Sequence, residues 1–164
     1  MEIRKALKKY SRGIVECNVK TWIATYTGII PDSILQNRLD NIEETIKKCE
    51  DTIEEKDNVF VAIEDEKVVG IVSFGKSKIV DEEITGEIYS LYVLNEYHGK
   101  HIGEKLFKTA QNELKNTGYK KMVVTCIKQN LSNSFYIKMG GEIIEVINSD
   151  VCGAKLEENL ILFD

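Results

Sequence analysis

The sequence predicts an α/β fold in which one mixed sheet is flanked by helices. Segments of alternating or β-branched apolar residues, typical of strands, are interspersed with segments whose apolar residues recur every three to four positions, typical of helices. Their order along the chain reads β-α-α-β-β-β-α-β-α-β-β. With no internal repeat or linker between the segments, this order favours one layered structure over 1–164.

Length and charge limit the classes of function. A chain of 164 residues is large enough to bury roughly 70% of its unfolded surface as one domain. The net charge is −5 and no basic run occurs, which argues against nucleic acid as a partner. The first ten residues lack an apolar segment and no run approaches membrane-spanning length, so we expect a cytoplasmic protein without a membrane partner.

The cysteine pattern indicates free thiols and no metal site. The four cysteines are scattered, with no C-x-x-C pair and no histidine at ligand spacing; they are Cys17, Cys49, Cys126 and Cys152. We interpret them as small apolar residues of a reducing compartment, in preference to a disulfide framework or a metal centre.

The first third of the chain reads as a strand followed by two helices. A short strand is predicted over Glu2–Ala6, and an amphipathic helix over Val15–Tyr26 that ends before Pro31. A second helical stripe runs from Leu35 to Ile53. Its opposite face is rich in acidic residues, which we interpret as a solvated face with i,i+4 ion pairs. The alternative is that this acidic excess lies near an acceptor pocket and favours cationic substrates.

The remaining elements include a hairpin, a buried strand and a closing strand pair. The hairpin pairs Asn58–Ile63 with Val68–Phe74, and a mostly polar loop follows over Gly75–Gly86. Four further elements come late in the chain: a buried strand over Lys120–Ile127, a short helix within Gln129–Gly141, and an antiparallel pair formed by Glu142–Asn148 and Leu156–Phe163.

The stretch around which the chain is organised runs from Glu87 to Lys105. It predicts a strand up to Val93, a polar turn, and an amphipathic helix beginning near Ile102. Gly99 and Gly103 stand where that helix begins. A helix N-terminus offers unpaired N–H groups, so glycines there allow a phosphate to approach the backbone. The alternative is that this segment is simply a turn.

Two segments at this spacing resemble the GNAT superfamily of N-acetyltransferases. The strand Leu91-Tyr92-Val93 and the turn from Tyr97 to Gly103 resemble the family's Q/R-x-x-G-x-G/A pyrophosphate loop. The segment from Asn130 through Phe135-Tyr136 to Gly140-Gly141 is similar to its N-x-x-x-x-F-Y-x-x-x-G-G pattern. The stretch Trp22-x-x-x-Tyr26-x-Gly28-Ile29-x-Pro31 also looks like one common near the start of bacterial members. The resemblance implies a mostly antiparallel central sheet.

Acetyl-CoA is the co-substrate that this resemblance implies, with no metal. Backbone groups of Leu91 and Val93 would pair with the pantetheine arm, and the loop would bind the pyrophosphate. Tyr92, between them, would also belong to the cofactor-binding strand. The loop residues are His98, Gly99, Lys100, His101, Ile102, Gly103 and Glu104. His98 stands where the family usually has Gln or Arg, and His101 where it usually has the middle Gly.

The resemblance also implies catalytic residues. Tyr136 would be the general acid toward the coenzyme A sulfur, and Glu87 the base that accepts the amine proton through water. The alternatives are that Tyr136 only packs a helix face and that Glu87 is solvated at a strand end. Asn130 would be a helix N-cap, a cofactor contact, or both.

The leading functional hypothesis is an N-acetyltransferase that moves an acetyl group to a primary amine by direct attack in a ternary complex. The acceptor would be a small molecule or a peptide, and the acidic balance favours a cationic one. The alternative is a non-catalytic acyl-CoA-binding or regulatory module on the same fold. A dinucleotide-binding oxidoreductase fits poorly because the loop is not G-x-G-x-x-G. The oligomeric state, monomer or homodimer, stays open.

Overall fold

The structure is a computed structural model that describes residues 1–80 and 85–164. Its strands are β1 (Glu2–Lys5), β2 (Val59–Glu64), β3 (Lys67–Lys76), β4 (Thr85–Val93), β5 (Lys121–Ile127), β6 (Glu142–Val151) and β7 (Ala154–Phe163). They form one seven-stranded sheet in the order β1-β2-β3-β4-β5-β7-β6. All neighbouring pairs are antiparallel except β4 and β5, which are parallel. The predicted mixed, mostly antiparallel sheet is confirmed.

Helices cover both faces of this sheet. They are α1 (Ser11–Tyr26), α2 (Asp32–Asp40), α3 (Ile42–Thr52), α4 (Ile102–Asn116) and α5 (Asn133–Lys138). On one face, Leu106 and Phe107 of α4 are buried with Val72 of β3. On the other face, Cys17 of α1 is buried with Val61 of β2. The apolar stripes that predict α1 and α4 therefore contact opposite sides of the sheet.

The prediction of one helix from Leu35 to Ile53 is wrong, because the chain divides there into α2 and α3. The backbone of Asn41 has φ −100° and ψ 13°, and its side-chain amide donates a hydrogen bond to the carbonyl of Asn37 at 2.8 Å. Such local side-chain bonds compete with helical ones. The division leaves Leu39, a member of the predicted apolar stripe, exposed to solvent.

Several other predicted boundaries also differ from the structure. The short helix begins only at Asn133, and residues 129–132 form turns before it. The predicted loop over Gly75–Gly86 is shorter, because β3 extends to Lys76 and β4 begins at Thr85. The part of that loop formed by residues 81–84 lies outside the described residues.

The two central strands separate along their length. β4 pairs with β5 only where Thr85–Glu87 lies beside Lys121–Val123. β4 nevertheless continues beside β3 as far as Val93. Beyond Glu87, the edge of β4 that faces β5 therefore has no strand beside it among the residues described. We call this gap, between 88–93 of β4 and 124–127 of β5, the β4–β5 wedge.

Candidate active site

A cavity of about 900 Å³ lies along the β4–β5 wedge. Its walls come from the end of α1 and the following turn, from β4, from the start of α4 and from α5 with its preceding loop. Most residues predicted for the site line it: Leu91, Val93, His98, Gly99, His101, Gly103, Glu104, Asn130 and Tyr136. Four predicted residues do not line it, namely Glu87, Tyr92, Lys100 and Ile102.

The backbone of β4 directs polar groups into the wedge. The N–H of Leu94 donates a hydrogen bond to the carbonyl of Val69 on β3 at 2.9 Å. Since the N–H and C=O of one peptide group point in opposite directions, the carbonyl of Val93 points away from β3. Residues two apart in a strand face the same neighbour, so the backbone groups of Leu91 also face the wedge. This edge is suited to an extended ligand that pairs like an added strand.

The side chain of Tyr92 points to the α1 side of the sheet and does not line the cavity. Its hydroxyl accepts a hydrogen bond from the indole N–H of Trp22 at 2.8 Å. Burial raises the pKa of this hydroxyl. By the same alternation its backbone groups face β3, where it lies opposite Ile71. Tyr92 therefore anchors α1 to the sheet.

The turn before α4, which we call the phosphate loop (His98–Gly103), has two residues in the left-handed region. Gly99 has φ +78° and His101 has φ +58°. His101 directly precedes the first helical residue, Ile102. The N–H groups of the first helical turn have no acceptor within the helix, and they lie at the positive end of its dipole. The loop thus forms a concave set of donors that suits an anion.

The two histidines of the loop have different partners. Nε2 of His98 lies 2.9 Å from the carbonyl oxygen of Val93. Because a carbonyl can only accept, Nε2 carries the proton and the ring ties the loop to β4. His101 is 72% exposed, and its Nδ1 lies 3.2 Å from Oε2 of Glu104. Hydrogen bonds from Lys108 and His101 lower the pKa of the Glu104 carboxyl.

Lys100 and Ile102 direct their side chains away from the cavity. The ammonium of Lys100 lies 3.9 Å from Oε2 of Glu64 and 4.7 Å from the ring centre of Tyr97. Ile102 is buried in the core beneath α4. These two residues offer a ligand in the cavity only their backbone N–H groups.

Tyr136 lies on α5 and is 7% exposed. Its ring packs against Phe107 and Phe135, with centroid distances of 6.4 and 5.3 Å. Burial, and then the nearby groups of Cys126, Tyr92 and Tyr26, raise the pKa of its hydroxyl. Tyr136 therefore presents a protonated hydroxyl at neutral pH.

Asn130 joins the loop before α5 to the end of α1. Its Oδ1 accepts the backbone N–H of Ser132 at 2.8 Å, and its Nδ2 donates to the hydroxyl of Tyr26 at 3.3 Å. Of the two roles predicted for Asn130, the N-cap is wrong, because α5 begins at Asn133 and Ser132 precedes it. The contact with the cofactor stays a prediction.

Glu87 lies at the apex of the wedge, as the last residue of β4 that pairs with β5. It is 6% exposed, and its Oε2 accepts hydrogen bonds from the backbone N–H of Lys78 at 2.7 Å and from the Ser77 hydroxyl at 3.2 Å. The preceding Gly86 faces Leu114 of α4. Since successive residues alternate faces, the Glu87 carboxylate points to the side of the sheet opposite α4.

The acidic face of α3 does not line the cavity. Glu43 instead forms two hydrogen bonds with the guanidinium of Arg12, each 3.0 Å long.

Sequence reasoning missed a different carboxylate, Glu158 of β7. Its signal is the alternation Leu156-x-Glu158-x-Leu160, which puts an acid on an apolar strand face.

The described residues contain neither a cluster of metal ligands nor a membrane-spanning helix. No three His, Cys, Asp or Glu side chains in residues 1–80 and 85–164 come together as ligands for a metal ion. In the same ranges, every helix is too short or too polar to span a bilayer.

The family model described as "Acetyltransferase (GNAT) family" matches residues 22–140. The chain belongs to this family. The match covers the wedge, the phosphate loop and α5, so it contains the main elements of the cavity. The predicted family and fold are confirmed, and the chain is an acetyltransferase of the GNAT type.

Three similar proteins extend the comparison. The uncharacterized N-acetyltransferase YuaI of Bacillus subtilis is 32% identical over 95% of this chain and 88% of its own length. Spermidine N(1)-acetyltransferase of Thermoplasma acidophilum is 24% identical over 97% of this chain and 99% of its own. The yncA structure from Salmonella typhimurium, solved with acetyl-CoA, has a TM-score of 0.74 at 24% identity, covering 99% of this chain and 92% of that one. It supports the shared fold.

Proposed function

We propose that this GNAT protein transfers the acetyl group of acetyl-CoA to a primary amine by direct attack in a ternary complex. The observation that carries the proposal is the continuity of one cavity between the phosphate loop and Tyr136. Such a cavity connects an anion site, an open strand edge and a protonated hydroxyl. These three features match the diphosphate, the amide-containing arm and the thioester of acetyl-CoA.

The residues present fit this co-substrate. Backbone N–H groups of 99–104 would bind the diphosphate at the start of α4. Leu91 would pair with the pantetheine amides, and the N–H of Val93 remains available because His98 occupies only its carbonyl. The acetyl-CoA bound to yncA supports this choice for a chain of the same fold.

The reaction needs one bond made, one broken and two protons moved. The amine nitrogen attacks the acetyl carbonyl carbon, and a backbone N–H at the wedge stabilises the developing oxyanion. The carbon–sulfur bond breaks, and the departing thiolate takes the proton of the Tyr136 hydroxyl. The proton of the attached ammonium passes through water to Glu87.

Direct attack is favoured over an acetyl-cysteine intermediate by the state of Cys126, the thiol beside Tyr136. Burial raises the pKa of Cys126 to about 12. A thiol that stays protonated at neutral pH is a poor nucleophile. The acetyl group would therefore pass straight to the amine.

The acceptor that we propose is a small cationic amine. The relative that is named a spermidine acetyltransferase supports this class. The net charge of −5 is consistent with it, since an acidic protein attracts cations.

The test combines acetyl-CoA binding with thiol release. Saturating acetyl-CoA, at about a hundred times its dissociation constant, is expected to stabilise the protein by roughly 2.7 kcal/mol and raise its melting temperature by several degrees. NADH and ATP serve as controls. Free thiol should then appear with a panel of amines that includes spermidine. Stabilisation without thiol release from any amine would instead support the non-catalytic acyl-CoA-binding module.

Replacement of Tyr136 by Phe tests the general acid. Removal of the hydroxyl is expected to lower kcat by about 100-fold, the lower end for acid catalysis, while acetyl-CoA still raises the melting temperature. Tyr10→Phe is the matched control, because its hydroxyl bonds to Arg4 outside the cavity. An unchanged kcat for Tyr136→Phe would contradict the assignment.

A further inference from the structure

Glu158 is a carboxylate on an otherwise apolar strand face. Side chains alternate along β7, so Ala154, Leu156 and Glu158 share one side of the sheet. Ala154 and Leu156 pack there with Trp22 and Tyr26 of α1. Glu158 therefore points toward the layer formed by the end of α1, next to aromatic side chains.

This carboxylate has no hydrogen-bond or ion-pair partner among residues 1–80 and 85–164. It is half-buried. The adjacent Glu157, on the exposed face, is paired with Lys128 at 3.4 Å. A half-buried carboxylate without a protein partner is available to a ligand of opposite charge.

Glu158 lies close to the proposed reaction centre. In the sheet it is opposite Ile127, whose carbonyl accepts the N–H of Asn130 at 2.8 Å. Its negative charge contributes to the raised pKa of both the Tyr26 hydroxyl and the Cys126 thiol. The same two groups contribute to the raised pKa of Tyr136. Glu158 does not itself line the cavity, but it lies within electrostatic range of Tyr26 and Cys126, which are near Tyr136 of the cavity wall.

Glu158 and Glu87 occupy separate places on the same side of the sheet. Glu87 lies beside Val123 and Glu158 beside Ile127, four residues further along β5. At about 3.3 Å per residue, this separation along the strand is roughly 13 Å. The two carboxylates therefore suit two different nitrogen atoms of an extended acceptor.

We propose that Glu158 binds the second, non-reacting ammonium of a diamine or polyamine acceptor. The inference rests on the proposed acetyl transfer and names the substrate class of that site. A carboxylate favours the protonated form of an amine that it contacts, whereas the attacking nitrogen must be unprotonated. Glu158 is therefore suited to bind an ammonium that stays protonated throughout the reaction.

The experiment compares 1,5-diaminopentane with pentylamine, which has the same chain length and lacks the second charge. Both are assayed by thiol release with the wild-type protein, Glu158→Gln and Glu157→Gln. Wild type is expected to prefer the diamine. Glu158→Gln should raise the KM for the diamine about tenfold or more, the size of a lost charged hydrogen bond, and change pentylamine kinetics less than about twofold. Glu157→Gln, with the same charge change one residue away, should leave both unchanged.

A second variant guards against loss of the fold. Glu158→Asp keeps the charge and is expected to retain a preference for the diamine, and acetyl-CoA should still raise the melting temperature of every variant. Equal losses for both amines, no loss for either, or no wild-type preference for the diamine would overturn the role of Glu158. If pentylamine is acetylated in these cases, the proposed function stands while this inference fails. If wild type acetylates no amine at all, both fail.

Discussion

His101 combines a glycine-like backbone with a solvent-exposed side chain. Its φ of +58° belongs to the region that glycine enters at least cost. Its ring points to Glu104 at the surface. A histidine therefore stands here in a backbone conformation that suits glycine better. The cost of this left-handed conformation should lower the free energy of unfolding of the protein.

Replacement of His101 by Gly is expected to stabilise the protein. Relief of the left-handed conformation gives about 1–2 kcal/mol, which the extra freedom of glycine in the unfolded chain offsets by about 0.4–1 kcal/mol. The melting temperature should rise by about 2 °C, since 1 kcal/mol corresponds to roughly 2–4 °C in a chain of this size.

Gly99→Ala is the opposite case in the same loop. Gly99 has φ +78°, and no atom lies within 4 Å of an added Cβ. The backbone strain of alanine in this conformation should therefore lower the melting temperature on its own. Thermal unfolding of both variants checks the pair. A fall in melting temperature for His101→Gly would contradict this account.

At the residue scale, the sequence predicted which residues line the cavity better than it predicted which groups their side chains contact. The spacing around Gly99 and Tyr136 places both in one cavity, as the structure has them. The contact of His98 with the carbonyl of Val93 depends on how the loop folds back onto β4, and no local pattern encodes that. The place of Lys100 in the motif predicts a contact with the cofactor. Its ammonium instead lies near Glu64 of the β2–β3 hairpin.

The junction between α5 and β6 uses two glycines for two different reasons. Gly140 has φ +96°, which ends the helix in a left-handed turn. Gly141 lies against β7, where an added Cβ would be 2.5 Å from Cγ2 of Ile161 and 2.7 Å from Cζ of Phe163. Both neighbours belong to the buried core. The second glycine is therefore required by close packing.

Gly141→Ala is expected to lower the free energy of unfolding by about 1–3 kcal/mol, the usual cost of an added methyl group in a filled core. Urea denaturation measures the change. Combination with Phe163→Leu, which makes space at the contact, should recover part of the loss. A neutral Gly141→Ala would show that the two elements do not approach each other this closely.

At the element scale, periodicity located the long helices and strands but not all of their boundaries. The stripe from Leu35 to Ile53 stays in phase across Asn41, so apolar spacing alone does not reveal the division into α2 and α3. The interpretation of Asn130 as an N-cap assumed that α5 begins one turn earlier than it does. In both places a local asparagine hydrogen bond decided the boundary.

The whole molecule contains two buried thiols whose titration limits its stability at high pH. Burial raises the pKa of both Cys17 and Cys126 from 9.0 to about 12. Above pH 9 the thiols of the unfolded chain lose their protons while those of the folded protein keep them. The folded state then binds more protons, so stability is full below pH 9 and falls as pH rises toward 12.

Each buried thiol should lower the free energy of unfolding by about 1.4 kcal/mol per pH unit in that window. Urea denaturation at pH 8, 9 and 10 measures the slope. Cys126→Ala should reduce the slope, whereas Cys152→Ala, at an exposed thiol, should leave it unchanged. A free energy of unfolding that stays constant between pH 9 and 10 would contradict the prediction.

The layered α/β architecture was predictable for the whole molecule because patterning alone assigns elements to a core. The position at which β4 and β5 separate was not, since a parallel pair joined through α4 carries no turn that fixes its register. The carboxylate of Glu158 was overlooked for a related reason. The helix on its side of the sheet, α1, comes from a distant part of the chain, and only the assembled fold brings Glu158 near Tyr26.

The wedge divides the sheet into two blocks, one of four strands and one of three. Among the residues described, strand pairing joins these blocks only between Thr85–Glu87 and Lys121–Val123. A bound arm that pairs with β4 would serve as a temporary strand and bridge the blocks. Without the ligand, the two blocks would move relative to each other about these few paired residues. The amide hydrogens of Leu91 and Val93 would then exchange with solvent. The sheet would thus be continuous across the wedge only while acetyl-CoA is bound, and each catalytic cycle would form and lose this continuity.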